Sequence, residues 1–263
     1  MYAEERQREI AQMISDNGQV SIADIARRYD ISTESARRDL RTLEQQGLCK
    51  RTHGGAIRPQ QVSVLPPRDR NFDDMPIFDN YDRIAAHAVT LIHPGDMVYL
   101  TGGSFGYLML RHLPRDLKCT LVVNNADLAA RLRPFTSIDV YIAGGRMRPS
   151  GSIVDSLATA FMANLHFDLA FITGGGLTAD FGLSNGTDET AALQRQVIRN
   201  SRKSVLLMPS QKVGTDAFVR VCDAGAFSAL ITDWDCVEDE LAKLEEKGVA
   251  VTVVDAPETE SGK

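Results

Sequence analysis

The stretch 32–57, STESARRDLRTLEQQGLCKRTHGGAI, constrains this chain more than any other. The Ser32 hydroxyl can accept from the free N–H groups of a first helical turn, which predicts a helix start there. Ala36, Leu40 and Leu43 recur at helical spacing and form one apolar face. Arg37, Arg38 and Arg41 fall off that face, and Thr33 and Ser35 stand near the exposed start. Gly47 can take the left-handed conformation that ends a helix. Residues 48–52 then read as a short strand carrying Lys50 and Arg51. Gly54-Gly55 permits a tight turn around His53, and Ala56-Ile57 begins a return strand.

The residues before this stretch complete the motif. Ile10, Met13 and Ile14 predict a first helix over 3–17, with Gly18 as its stop. Ser21 caps a second helix over 22–28, with Ile22, Ile25 and Ala26 inward and Asp24 at the capping-box offset. Tyr29-Asp30-Ile31 is the turn into the third helix. Arginines on a helix are ordinarily just a solvated face. Here the cap, turn, glycine stop and basic wing together predict a winged helix-turn-helix, whose third helix enters the major groove of duplex DNA. The expected DNA contacts are Thr33, Ser35, Arg37, Arg38, Arg41, Lys50, Arg51 and His53. Of these, Arg37 and Arg38 suit base edges and phosphates, while Arg41, Lys50 and Arg51 suit phosphates. The stretch resembles the amino-terminal domain of the DeoR family of bacterial transcription regulators. The resemblance rests on Arg8, Ile10, Gly18, Val20, Ile25, Ala26, Ile31-Ser32, Arg37-Arg38-Asp39-Leu40, Leu43, Gly47-Leu48 and His53-Gly54-Gly55-Ala56.

At 263 residues and 43% hydrophobic content, the chain has room for two domains with proper cores. Its net charge of −6 does not advertise a nucleic-acid binder. The acidity lies elsewhere: residues 1–58 carry ten basic against nine acidic side chains, and the remainder nineteen against twenty-six. Within 32–58 there are six basic and three acidic residues, so phosphate attraction must be local. Cys49, Cys119, Cys222 and Cys236 are too scattered for a metal site or disulfide scaffold. No secretory signal opens the sequence, and no apolar run reaches the roughly 18 residues of a membrane helix. The expectation is a cytoplasmic protein with neither cofactor, metal nor membrane partner.

After the wing, Pro59, Pro66, Pro67 and Pro76 mark 59–76 as an extended linker. A helix is predicted over 79–92. Apolar runs follow at 97–100, 120–123, 140–143, 169–173, 205–208, 229–232 and 249–253. Helical patterns lie among them at 104–112, 127–132, 155–165, 189–201 and 238–247. Such alternation predicts an α/β domain over 77–256 with a mostly parallel sheet, and a flexible tail over 257–263. The domain organisation is thus 1–58, 59–76, 77–256 and 257–263. Trp234 is expected at a surface or interface.

Ligands of such sheets bind at the carboxyl ends of the strands. The loops expected there are Thr101-Gly102-Gly103-Ser104, Asn124-Asn125, Gly144-Gly145-Arg146, Gly174-Gly175-Gly176 and Pro209-Ser210-Gln211-Lys212. Each has an ordinary explanation as a strand-to-helix turn; several on one edge predict a polar crevice. Glycines at a helix start admit a phosphate to free backbone N–H groups. This region resembles the carboxy-terminal effector domain of the DeoR family, which is related in fold to ribose-5-phosphate isomerase and glucosamine-6-phosphate deaminase. The resemblance implies a sugar phosphate or similar phosphorylated metabolite as effector. It places Gly102, Gly103 and Ser104 on the phosphate loop, with Asn124, Glu189 and Lys212 around the ligand; Gly174, Gly175 and Gly176 complete the expected set. Thr101 and Pro209 stand where the family has Asp, Phe105 where it has Thr, and Gln194 where lysine is common, so an altered pocket is expected.

Two different functions compete with a ligand-controlled, homodimeric or homotetrameric repressor of carbohydrate catabolic genes. An isomerase or deaminase could use Glu189 and Lys212 as an acid/base pair, but the missing acids at positions 101 and 209 leave few proton-transfer groups. A dinucleotide sensor would need G-x-G-x-x-G, whereas Gly102 and Gly103 are adjacent and Asn124-Asn125 follows the second strand in place of an acid.

Overall fold

The computed structural model describes residues 3–17, 19–45, 48–52, 54–57 and 78–257. Gly18, Gly47, His53, the expected linker and the tail from residue 258 lie outside them. The chain divides into two compact units, Met1–Gln61 and Val62–Lys263.

The first unit holds α1 (Ala3–Asn17), β1 (Gln19–Ser21), α2 (Ile22–Tyr29), α3 (Thr33–Gln45), β2 (Lys50–Thr52) and β3 (Gly55–Ile57). The apolar faces read from the sequence meet in one core containing Ile10, Ile14, Ile25, Ala36, Leu40 and Leu43. Both expected caps form. Ser21 Oγ accepts the Asp24 N–H at 3.0 Å, and Ser32 Oγ accepts the Ser35 N–H at 3.1 Å. The turn between α2 and α3 uses Asp30 in the left-handed region, φ 49°, which lets Ile31 N–H reach back to Ala26 O at 3.1 Å. A short polar side chain tolerates that conformation better than most.

The wing has a third strand that periodicity did not reveal. β3 pairs antiparallel with β2 on one side and with β1 on the other. β1 has only three residues, the last of them the cap of α2, too few to show alternation. Gly55 is required there, because a Cβ at this position would lie 2.0 Å from the Val20 carbonyl oxygen. Gly55→Ala should therefore cost the unit roughly 1–3 kcal/mol through forced separation of β1 and β3. Urea unfolding of the protein followed by circular dichroism measures this; an unchanged first transition would contradict it.

The second unit opens with α4 (Asp79–Val89) and then alternates. In order come β4 (Met97–Leu100), α5 (Ser104–His112), β5 (Thr120–Val123), α6 (Ala126–Leu132), β6 (Asp139–Ile142), α7 (Ser156–Ala163) and β7 (Phe167–Ile172). Then follow β8 (Gly176–Thr178), β9 (Gly182–Asn185), α8 (Asp188–Arg199), β10 (Ser201–Leu207), β11 (Val219–Cys222), β12 (Ala229–Asp233), α9 (Glu238–Glu246) and β13 (Ala250–Val254). Seven strands form one sheet in the order β13-β12-β10-β7-β4-β5-β6, with every pairing parallel. Alternate residues of its central strands feed two cores: Tyr99, Ala170 and Leu206 face one, and Leu100, Phe171 and Leu207 the other. Strands buried on both faces explain the continuous apolar runs in the sequence.

Three details differ from expectation. α4 ends at Val89 rather than at residue 92. Residue 201 begins β10 rather than ending a helix. β8, β9 and β11 form a separate antiparallel sheet in the order β11-β9-β8, where the sequence read only a glycine loop. β8 and β9, of three and four residues, carry Gly, Ser, Thr and Asn, so neither period nor β-branching announces them; β11, Val-Arg-Val-Cys, does alternate, but four residues are too few to stand out.

Candidate nucleic-acid interface and effector crevice

In α3 the packed and free faces are sharply separated. Arg37, Arg38 and Arg41 are exposed, with Thr33 exposed at the first turn and Ser35 beside it. Arg37 Nη1 is 3.6 Å from Glu34 Oε2 in a solvated pair of the kind worth little. Asp39, inside the same charged run, is only 3% exposed. It accepts from Arg6 Nε at 2.6 Å and Gln7 Nε2 at 2.8 Å, fastening α1 to α3. Arg51 is held rather than free: its backbone N–H donates to Glu44 Oε1 at 2.8 Å and its Nε to Glu44 Oε2 at 2.6 Å. A DNA phosphate would have to compete with Glu44 for it. Lys50 lies in β2, and His53 lies outside the described residues. The Asp39 tie was legible in principle, since position 39 borders the inward face of Ala36, Leu40 and Leu43. Asp39→Ala leaves the largely shielded Arg6 guanidinium without its partner and should cost about 2–3 kcal/mol in chemical denaturation; a loss below about 1 kcal/mol would contradict the tie.

The strand ends of the large sheet bring several loops together. After β4, Gly102 passes so close to the next loop that a Cβ would sit 2.6 Å from Asn125 Cβ; a Cβ on Gly103 would lie 3.4 Å from Thr173 Oγ1. Gly103 precedes α5 and offers no side-chain cap to the first-turn N–H groups of that helix. Ser104 is half-exposed at its start. Asn124 is committed to the scaffold: its Oδ1 accepts from Tyr99 Oη at 3.1 Å, and its Nδ2 donates to Ile153 O at 3.2 Å. Burial raises the Tyr99 phenol above the ordinary tyrosine pKa, so it remains a donor. Asn125 caps α6 through Leu128 N–H at 2.9 Å.

Lys212 ends a 3-10 turn (Ser210–Lys212) beyond β10. Its Nζ donates to Gly174 O at 3.2 Å, and among the described residues no carboxylate pairs with it. Burial pushes its ammonium pKa below the usual lysine value. The turn is fixed by Asp233 at the end of β12, whose Oδ2 accepts Ser210 N–H at 2.8 Å. Gly174, Gly175 and Gly176 stand at the same edge, but close packing claims them. Gly175 N–H donates to Ser184 O at 2.9 Å, Gly176 pairs with Ser184 in the small sheet, and a Cβ on Gly174 would strike Leu183 at 2.3 Å.

Glu189, in the first turn of α8, is paired with Arg148 and lies 3.6 Å from Arg146 Nη2. These arginines come from the loop after β6. Arg146 was visible in the Gly144-Gly145-Arg146 turn; Arg148 carried no signal of its own. The loop is anchored by Asp155, whose carboxyl the N–H groups of Arg146 and Ala158 hold below the ordinary carboxylate pKa.

The unusual residues at the crevice turn inward. Phe105 is 3% exposed and stacks on Tyr81 with ring centroids 5.0 Å apart. Gln194 is buried, donating to Thr173 O at 2.8 Å and accepting from Asn185 Nδ2 at 2.6 Å. Thr101 is also buried, and Pro209 starts the lysine turn. Among the described residues no cluster of side chains could hold a metal, and no helix is long and apolar enough to cross a membrane.

A winged helix-turn-helix joined to an α/β unit with a polar crevice at its strand ends is the architecture of a ligand-sensing transcription regulator. The comparisons agree. Residues 6–62 match the DeoR-like helix-turn-helix domain and residues 79–234 the DeoR C terminal sensor domain. The chain belongs to the DeoR family. It is 29% identical over 258 residues to the HTH-type transcriptional regulator GlpR of Haloferax volcanii, covering 97% of this chain and 98% of that protein. To the glycerol-3-phosphate regulon repressor of Escherichia coli it is 25% identical over 230 residues, covering 87% and 90%. A ribose 5-phosphate isomerase from Methanocaldococcus jannaschii is similar at 16% identity and a TM-score of 0.38, over 51% of this chain and 53% of that one. The sequence relatives are transcriptional regulators, and the enzyme reading is not favoured.

The buried lysine gives a signed prediction. Its lowered pKa means that the charged form costs folding energy, so Lys212→Met should stabilise the ligand-free protein at neutral pH. Between the lowered pKa and the ordinary lysine value, the unfolded chain holds more protons than the folded one. Wild-type stability therefore rises with pH there, and the variant's advantage should shrink. Thermal melts across alkaline pH test this; an advantage growing with pH would contradict it.

Proposed function

We propose that the protein is a cytoplasmic repressor of carbohydrate catabolic genes that acts as a homodimer or homotetramer and is released from, or modulated at, its operator by a phosphorylated sugar or related metabolite. For DNA, the carrying observation is the division of α3: Ala36, Asp39, Leu40 and Leu43 are buried while Arg37, Arg38 and Arg41 face solvent. Arg37 and Arg38 reach base edges and phosphates, with Thr33 and Ser35 beside them. Arg41, Lys50 and Arg51 serve the phosphate backbone, with His53 of the wing turn among the DNA contacts. Two-fold assembly would match half-sites about 34–36 Å apart per helical turn.

For the effector, the reading rests on a helix start at Gly103-Ser104 without a side-chain cap and a partly buried ammonium at Lys212 on one sheet edge. Both favour an anion, and a buried cation is costly without one. Gly102 lets the anion approach, Asn124 spaces the loops, and Glu189, with Arg146 and Arg148, faces the rest of the ligand. Gly174 to Gly176 shape the floor. Gln211 Oε1, a buried acceptor without a donor among the described residues, suits a ligand hydroxyl. The name of the glycerol-3-phosphate regulon repressor supports a phosphorylated class.

Selection of duplexes from a random library by the purified protein tests the DNA arm. A two-fold symmetric motif is expected. Arg37→Ala should weaken binding to the selected duplex by roughly 1–3 kcal/mol while leaving random DNA little changed. Equal loss on both would make Arg37 a backbone contact, and no enrichment would overturn the reading.

A further inference from the structure

Three consecutive residues in the first turn of α4 hold the surroundings of the crevice. Asn80 Nδ2 donates to Asp233 Oδ2 at 3.1 Å, and that same oxygen accepts Ser210 N–H in the turn carrying Lys212. The Tyr81 ring stacks on Phe105, at an interplanar angle of 15°, in the first turn of α5 beside Ser104. Asp82 Oδ1 lies 3.0 Å from His112 Nε2 and 3.3 Å from Arg111 Nη1, at the other end of α5. One helical turn thus grips the lysine wall through Asn80 and the glycine-loop wall through Tyr81. α4 is also the first described element after residues 58–77, through which the chain arrives from the DNA-binding unit.

We propose that Asn80 and Tyr81 are the coupling residues through which effector occupancy is converted into a change in DNA binding, an inference that rests on the effector reading of the crevice. An anion held between the start of α5 and Lys212 draws on both walls, and each wall is bonded to a neighbouring residue of one turn. Asp233 is fully buried, so losing the Asn80 donor leaves a desolvated carboxylate oxygen with one partner fewer, a cost that favours movement of the turn with it. Packed rings shift as units rather than deform, so α4 follows Phe105. A ligand can drive such a shift only by binding one arrangement better, and the coupling must then act equally in the reverse direction.

The test uses full-length protein, inorganic phosphate as probe against chloride at matched ionic strength, amide hydrogen exchange, and affinity for the duplex selected above. In wild type, phosphate should slow exchange at 101–106 and 209–213 and also at 79–84, and should change duplex affinity. In Asn80→Ala and Tyr81→Leu, protection at 101–106 and 209–213 should persist, while the response at 79–84 and the change in duplex affinity fall several-fold. Tyr81→Phe, which keeps the ring, should restore both. A purely structural role would lower stability in these variants yet leave the affinity response intact, and that result overturns the inference. So does protection of the two loops in wild type with no response at 79–84. Absence of protection in both loops overturns the effector reading instead. The coupling is then decided without ligand: Phe105→Thr should speed exchange at 79–84 several-fold with β7 unchanged, and no change there refutes it.

Discussion

Parallel pairing is the constraint on which the second unit depends. A parallel strand must be re-entered from the same end as its neighbour, so every return path crosses the sheet and every outgoing loop leaves at one edge. With seven strands in a parallel order, the loops after β4, β5, β6, β7, β10 and β12 share that edge. Backbone crowding does the rest. Gly102 lies against Asn125, Gly103 near Thr173, and Lys212 reaches Gly174 O. Topology thus gathers these loops at one edge, and the proposed anion site there would draw on two groups: the start of α5, where Gly103 offers no side-chain cap, and the Lys212 ammonium, which among the described residues has a carbonyl partner but no carboxylate.

The first unit solves a different problem. A helix that presents arginines to a polyanion must be held from behind without spending those arginines on the protein. Here Asp39 does the holding, buried against Arg6 and Gln7, while Glu44 secures the wing through Arg51. The charge that faces outward and the charge that faces inward occupy neighbouring positions of one helix, and the helical period alone separates them. That explains how a chain with net charge −6 can present a basic reading surface.

Much of this was legible in the sequence because the signals were redundant. The caps at Ser21 and Ser32, the apolar period of α3 and the turn at Gly54-Gly55 all pointed to the same winged motif. The central strands of the large sheet announced themselves because burial on both faces leaves unbroken apolar runs; the edge strands β6 and β13 are largely exposed yet carry apolar runs of their own. What escaped was short or polar. β1 has three residues, the last of them the cap of α2, and the small-sheet strands are three or four residues long, with β8 and β9 rich in Gly, Ser and Asn. In the crevice, Lys212 and the glycine loop were visible, but the destinations of Phe105 and Gln194 were not. Both turned inward, to Tyr81 and Thr173, and a contact with a partner 24 or 21 positions away leaves no local pattern. The Arg148–Glu189 pair escaped for the same reason.

The most direct test of the account is a thermal-shift panel on the intact protein with sugar phosphates, glycerol 3-phosphate and the unphosphorylated parent of each. A ligand at about a hundred times its dissociation constant adds roughly 2.7 kcal/mol, a readily visible shift. The account predicts that at least one phosphorylated compound raises the melting temperature while its parent does not, and that Lys212→Met abolishes the shift. A shift from parents alone, or one that survives Lys212→Met undiminished, would contradict the placement of an anion between the glycine loop and the buried lysine.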